Sequence, residues 1–174
     1  MSLFVVDVES DGGLLGVNSM VCFGAVKLTD DLKTTPTFYG QTKPISDIYN
    51  EKALAISGFS REEHLKFKDP LYVMAEFAEW INANTKGRPI LISDNNGYDA
   101  SWINFYFLKF YGKNPFGWSS RRIGDLYCGM VKDIWASWKN MRVTKHDHNP
   151  VSDAMGNAEA LLKMKEMGLK IDTK

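Results

Sequence analysis

Cysteine is scarce in this chain: only Cys22 and Cys128 occur in 174 residues. Two thiols cannot build a disulfide framework, and these two lack metal-site spacing. Both read as reduced thiols of a cytoplasmic protein. No apolar run reaches the ~18 residues that a membrane-spanning helix needs. The opening MSLFVV runs straight into Asp7 and Glu9 with no basic stretch before it, which argues against a signal peptide. Net charge is missing too, because 21 basic and 21 acidic side chains cancel. That balance counts against a protein that coats nucleic acid. There is no internal repeat, low-complexity tract or linker. The chain is 44% hydrophobic and 13% aromatic, which excludes disorder and suits one domain spanning residues 1–174.

The zero total conceals an asymmetry. Residues 1–99 carry 14 acidic and nine basic side chains, whereas residues 100–174 carry seven and 12. Within residues 100–145, eight Lys/Arg and two Asp are interleaved with 11 of the 22 aromatics. Such a segment suits a surface that tracks phosphates and stacks bases. The plainer alternative, favoured on this segment alone, is a pair of amphipathic helices with core aromatics and solvated lysines.

Local patterns give an element order. Leu3–Val8 is a β-branched apolar run that reads as a buried strand. Ser19–Leu28 and Thr37–Thr42 read as two more, and short links between the three predict an antiparallel meander. A short helix is expected over Glu51–Ile56, and Ser60 with Glu63 forms a capping-box pattern. Asp69-Pro70 opens a helix running to about Asn82. Pro89–Ser93 reads as a strand, Asp99–Tyr111 as a helix, and Arg122–Leu126 as a short strand followed by a helix to about Trp138. A last helix is expected over Ser152–Met167. The order predicts an α/β domain: a mixed sheet with helices on both faces.

Three polar groups interrupt this apolar pattern. Asp7 and Glu9 are two apart at the end of a strand, so both carboxylates share a face. Side-by-side carboxylates repel unless a cation sits between them, and hard oxygen donors suit Mg²⁺ or Mn²⁺. The bland alternative is a strand end open to solvent. The second group, Asp94-Asn95-Asn96-Gly97-Tyr98-Asp99, leads from a strand end into a helix, where α/β proteins place their sites. Asp99 would be a third carboxylate. Asp94 could be a fourth, although a helix cap is the better explanation for Asp94 and does not account for both acids. The third group is His146, His148 and Asp153 around the start of the last helix. Asp153 could serve only the helix dipole, and His64 and His146 read as ordinary exposed histidines.

Together these groups resemble the DEDDh family of 3′–5′ exonucleases, which has an RNase H-like fold. Asp7-Val8-Glu9 is similar to its D-x-E motif, and Asp94–Asp99 to its H-N-x-x-F-D motif. His148 followed by Asp153 resembles its H-x4-D motif. FGAV at Phe23–Val26 and ISGFS at Ile56–Ser60 are supporting likenesses over a match covering roughly residues 3–167. Asp94 stands where many members have His, Tyr98 where Phe is usual, and Ser57 where the family's I-H-G-I-T stretch has His. Ser10, Asp11 and Gly12 follow the first motif in place of the usual Thr and Gly. These departures bear on substrate preference.

The resemblance implies that Asp7, Glu9, Asp99 and Asp153 hold two Mg²⁺ or Mn²⁺ ions, with His148 as general base and His146 as its rival. It implies removal of nucleoside 5′-monophosphates from a 3′ end. Ser10, Asn95 and Tyr98 would contact the terminal nucleotide. Single-stranded or 3′-overhang nucleic acid is the expected partner, RNA favoured over DNA, and a homodimer is expected, with Trp135 and Trp138 as candidate interface residues. Three rival readings are an RNA-binding member that no longer cuts, a DNA-directed proofreading-type exonuclease, and a phosphodiesterase for a small nucleotide.

Overall fold

The first three strands form the expected meander in the computed structural model, which describes residues 1–173. They are β1 (Ser2–Ser10), β2 (Met20–Lys27) and β3 (Thr37–Gln41). With β4 (Pro89–Ser93) and β5 (Ser120–Arg122) they make one sheet of order β3-β2-β1-β4-β5. β1 pairs antiparallel with β2 and parallel with β4, and β4 pairs parallel with β5.

Alternation along β1 splits the core in two. Phe4, Val6 and Val8 pack beneath α3 (Pro70–Ala83) and α4 (Asn96–Tyr106), with Phe77, Trp102 and Tyr106 among their buried partners. Val5 faces the other way, towards α6 (Pro150–Glu166), whose Ala154, Ala158 and Leu161 are buried. Each large side chain so buried contributes about 1.5–3 kcal/mol. Asp7 and Glu9 continue the row of Val5, on the α6 face.

The small helices follow their caps. α1 (Glu51–Ile56) has Asn50 as N-cap, and α2 (Arg61–His64) has the full Ser60–Glu63 capping box. Asp69 caps α3 by accepting from the Leu71 N–H at 2.9 Å.

Three expected elements shift. The helix read from Asp99 starts at Asn96 and passes into a π-turn over Phe107–Tyr111, closed by Gly112 at φ +79°. The strand read over Arg122–Leu126 is instead β5 followed by α5 (Ile123–Val131), because Ile123 and Gly124 are buried as a first helical turn. Lys132, left-handed at φ +60°, ends α5 well before Trp138. The last helix begins at Pro150, not Ser152, since Asn149 supplies the cap and proline tolerates the first helical position.

Of the 11 aromatics in residues 100–145, five are buried and Phe105, Phe110 and Tyr127 pack against the core from its edge. Trp102, Tyr106, Phe107, Phe116 and Trp138 are buried, which removes Trp138 from any interface, whereas Trp118 and Trp135 are exposed. Among the described residues, no helix is long and apolar enough to cross a membrane.

Candidate active site

The β1–β4 ladder ends at Val5–Ile92, while β2 stays paired with β1 as far as Ser10. The last turn of β1 therefore has no strand beside it on the β4 side. The α4 N-terminus fills that slot: the Asp99 carboxylate accepts from the Val8 and Asn95 backbone N–H groups. Asp99 is thus fixed beside Asp7 by backbone donors that β1 leaves unused.

Gly24 brings the third motif in. It lies opposite Asp7 in the β1–β2 ladder. A Cβ there would sit 2.4 Å from the Pro150 carbonyl carbon and the Val151 nitrogen. Only a bare backbone lets α6 rest on the sheet at this level. The helix is aimed by Asn149, whose Oδ1 accepts from the Val151 and Ser152 N–H groups. Asp153, one turn in, is fully buried against β1.

Carboxylate oxygens of Asp7, Glu9 and Asp153 all lie within 4.8 Å of one another. Burial, then the charges of Asp99, Asp153 and Glu9, push the Asp7 pKa well above the ordinary carboxylate value. Burial raises Asp99 to about 7. Glu9 is raised by burial and held back by His148. Such crowding disfavours ionisation of every member unless positive charge enters.

Asp153 is the most heavily engaged of the four. Arg142 Nη2 donates to its Oδ1 at 2.8 Å. His146 Nδ1 lies 2.7 Å from its Oδ2, and the His148 backbone N–H donates to the same oxygen at 3.1 Å. His148 Nδ1 lies 3.2 Å from Glu9 Oε1. His148 has a left-handed backbone, φ +62°, uncommon outside glycine and often found at functional positions.

Asp7, Glu9, Asp99, Asp153 and His148 thus come together. Ser10 and Tyr98 also meet, their hydroxyls hydrogen-bonded to each other. Asn95 occupies the N-cap of α4 without a side-chain cap bond and is exposed. Asp94 pairs with Lys139 at 3.2 Å, and its charge adds to the upward push on Asp99. His146 is exposed as expected, and His64 is not. His146 sits on Asp153, and His64 is fully buried, its Nδ1 3.8 Å from the Asp11 carboxylate that Arg61 also holds. Sequence reasoning missed Arg142, which lies in the loop before α6 and meets Asp153 only through the fold. FGAV carried the one available hint for Gly24.

No family model matches the chain. A curated relative does: the 3′–5′ DNA exonuclease Cap18 of Escherichia coli, 32% identical over 164 residues covering 88% of this chain and 86% of the relative. The chain belongs to the DEDDh family of 3′–5′ exonucleases. Solved structures agree on the fold. The nuclease domain of 3′hExo, a DEDDh member bound to rAMP, superposes with TM-score 0.80 at 17% identity, covering 98% of this chain and 94% of that one. A zinc-bound E. coli ExoI–ssDNA complex gives 0.70 at 17%, over 97% of this chain and 41% of that one. DEDDh exonucleases are metal-dependent, and the donors here fit: crowded, buried carboxylates need a divalent cation to ionise together.

Proposed function

We propose that this DEDDh exonuclease, one domain over residues 1–174, removes nucleoside 5′-monophosphates from the 3′ ends of single-stranded DNA. The observation that carries this reading is the convergence of Asp7, Glu9 and Asp153 with His148 on Glu9. Asp7, Glu9, Asp99 and Asp153 would hold two Mg²⁺ or Mn²⁺ ions. Bound there, the ions supply charge neutralisation, a more acidic water and stabilisation of the leaving 3′-oxygen.

The protein's own groups do the rest. Asp99 and Asp153 are held by backbone donors and Arg142, so their oxygens keep their places through turnover. His148 is the general base. With its Nδ1 proton held by Glu9, Nε2 carries the lone pair that takes a proton from the attacking water. Ser10 and Tyr98, linked through their hydroxyls, form one wall for the terminal nucleotide, and exposed Asn95 stands beside it. Lys139, Arg142 and Lys145 line an adjoining cavity of about 510 Å³ that suits the preceding phosphates.

The expectation of RNA as substrate rests on family likeness alone. A relative sharing 32% identity that is a DNA exonuclease moves DNA to first place. A cytoplasmic protein fits the two free cysteines, and exposed Ile134 and Trp135 offer a face for the homodimer.

The test is a time course on 5′-labelled single-stranded DNA, single-stranded RNA and a 3′-overhang duplex with Mg²⁺ or Mn²⁺. The expected result is a ladder shortening one nucleotide at a time from the 3′ end, fastest on DNA. Faster RNA loss would reverse the preference. A gel shift without shortening would make this a binding protein, and quicker loss of a cyclic or dinucleotide would make it a small-nucleotide phosphodiesterase.

A further inference from the structure

The four carboxylates leave one metal-binding side chain beside them without a role. His146 belongs to none of the three motif positions, yet its Nδ1 lies 2.7 Å from Asp153 Oδ2. His148 stands next to it, the two rings 4.4 Å apart between centroids and set edge to face. One donor atom from each of His146, His148 and Asp153 lies within 4.8 Å of the others.

The loop is folded to make this happen. The His146 imidazole rests on Asp153, and the His148 imidazole, beside it, reaches Glu9 while its backbone N–H donates to Asp153. Asp147, between them, turns away and accepts from the Asn149 N–H at 3.0 Å. The left-handed backbone of His148 brings the chain round into the Asn149 cap, one turn before Asp153. Arg142 occupies Asp153 Oδ1, and Oδ2 meets the His146 imidazole and the His148 N–H.

The chemistry of this trio differs from that of its neighbour. Asp7, Glu9 and Asp153 offer only hard oxygens, which suit Mg²⁺ or Mn²⁺. Two imidazole nitrogens and one carboxylate suit Zn²⁺, which binds such donors at roughly 2.0–2.2 Å in tetrahedral geometry with the fourth position left to water. Asp153 is common to both sets, and His148 is the base in the proposed hydrolysis.

We propose that His146, His148 and Asp153 form a Zn²⁺ site that overlaps the hydrolytic site and shuts it off when filled. Zinc held there takes His148 away from the attacking water and withdraws Asp153 from the carboxylate set. The inhibitory half rests on the proposed role of His148; the binding half does not. His146 confers the zinc sensitivity, since it alone of the three has no part in the hydrolysis.

The full chain, stripped of metal and supplied with excess Mg²⁺, is titrated with ZnCl₂ by calorimetry. X-ray absorption at the zinc edge then reads the ligands. Expected are one zinc per chain, two imidazoles in its shell, and binding weakened at least about tenfold in His146→Ala. Mg²⁺-supported cleavage should fall with the same zinc dependence, and the inhibition curve should move at least about tenfold in His146→Ala. A zinc shell of oxygens alone, or affinity unchanged in His146→Ala, overturns the site. Because the absorption spectrum is taken on the unaltered protein, a misfolded variant does not spoil the test. Zinc bound by both imidazoles with cleavage unimpaired overturns the inhibition. Absence of any Mg²⁺- or Mn²⁺-supported cleavage before zinc is added would count against the proposed function, and the ligand result would still stand.

Discussion

Asp7 and Gly24 are partners across the β1–β2 ladder, and the space a side chain would take at Gly24 is occupied by the Pro150–Val151 backbone. The position of one metal-ligand candidate, Asp153, therefore depends on the absence of a methyl group on the neighbouring strand. Gly24→Ala should lift the start of α6 off the sheet. The obstacle is backbone, which cannot rotate aside, so overpacking should cost about 1–3 kcal/mol of stability. Activity should fall much further than stability, because misplacing a catalytic group by about 1 Å can cost ~100-fold. Melting curves and initial rates on one preparation separate the two.

His148→Ala tests the base. Removing a general base typically costs about 10²–10⁴ in rate. The carboxylates remain, so Mn²⁺ affinity measured by calorimetry should hold near the unaltered value while turnover collapses. A His148→Ala protein of full activity would reject the assignment.

The three-stranded meander, the mixed sheet and the shared face of Asp7 and Glu9 are legible in local pattern, whereas the grouping of these two with Asp99, His148 and Asp153 comes from the family resemblance. Period-two alternation places Asp7 and Glu9 on one face, whereas the start of α6 at Pro150, ahead of the expected Ser152, shows only in the Asn149 cap. What stayed hidden depends on tertiary contact. Nothing near Arg142 in the chain says that its guanidinium meets Asp153, and nothing near His64 says that it is buried beside Asp11. β5 was misplaced for a related reason. A three-residue edge strand is too short to show a period, and Ile123 serves a helix as readily as a strand.

Arg142 leads to a prediction that metal reverses. Asp153 is fully buried and Arg142 nearly so, at 0% and 11% side-chain exposure. Arg142→Ala strands a buried carboxylate, and breaking such a pair costs about 3–5 kcal/mol. The loss should be clear by thermal melting in chelator. Saturating Mn²⁺ should restore most of it, because the ion replaces the missing positive charge. A variant equally unstable with and without Mn²⁺ would assign Arg142 to packing alone.

The pH dependence of the metal-free protein follows from the same crowding. Asp99 titrates at about 7 in the fold, and burial also raises Asp7, against an ordinary value near 3.8. Between those limits the folded chain holds protons that the unfolded chain has released, so stability falls as pH rises from about 4 to about 7. His64 acts in the opposite sense. Burial, reinforced by the Arg61 charge, lowers it from 6.5 to about 4, so its contribution is complete above 6.5 and is lost as pH drops towards 4. Two or more raised carboxylates outweigh one histidine, so melting in chelator should occur at lower temperature at pH 8 than at pH 5. His64→Gln should steepen that fall by removing the opposing group. Mn²⁺ should raise the melting temperature more at pH 8 than at pH 5, since only ionised carboxylates repel one another and bind the cation. A chelated protein that grows more stable towards pH 8 would show that Asp7 and Asp99 do not share their charge in the way their burial demands.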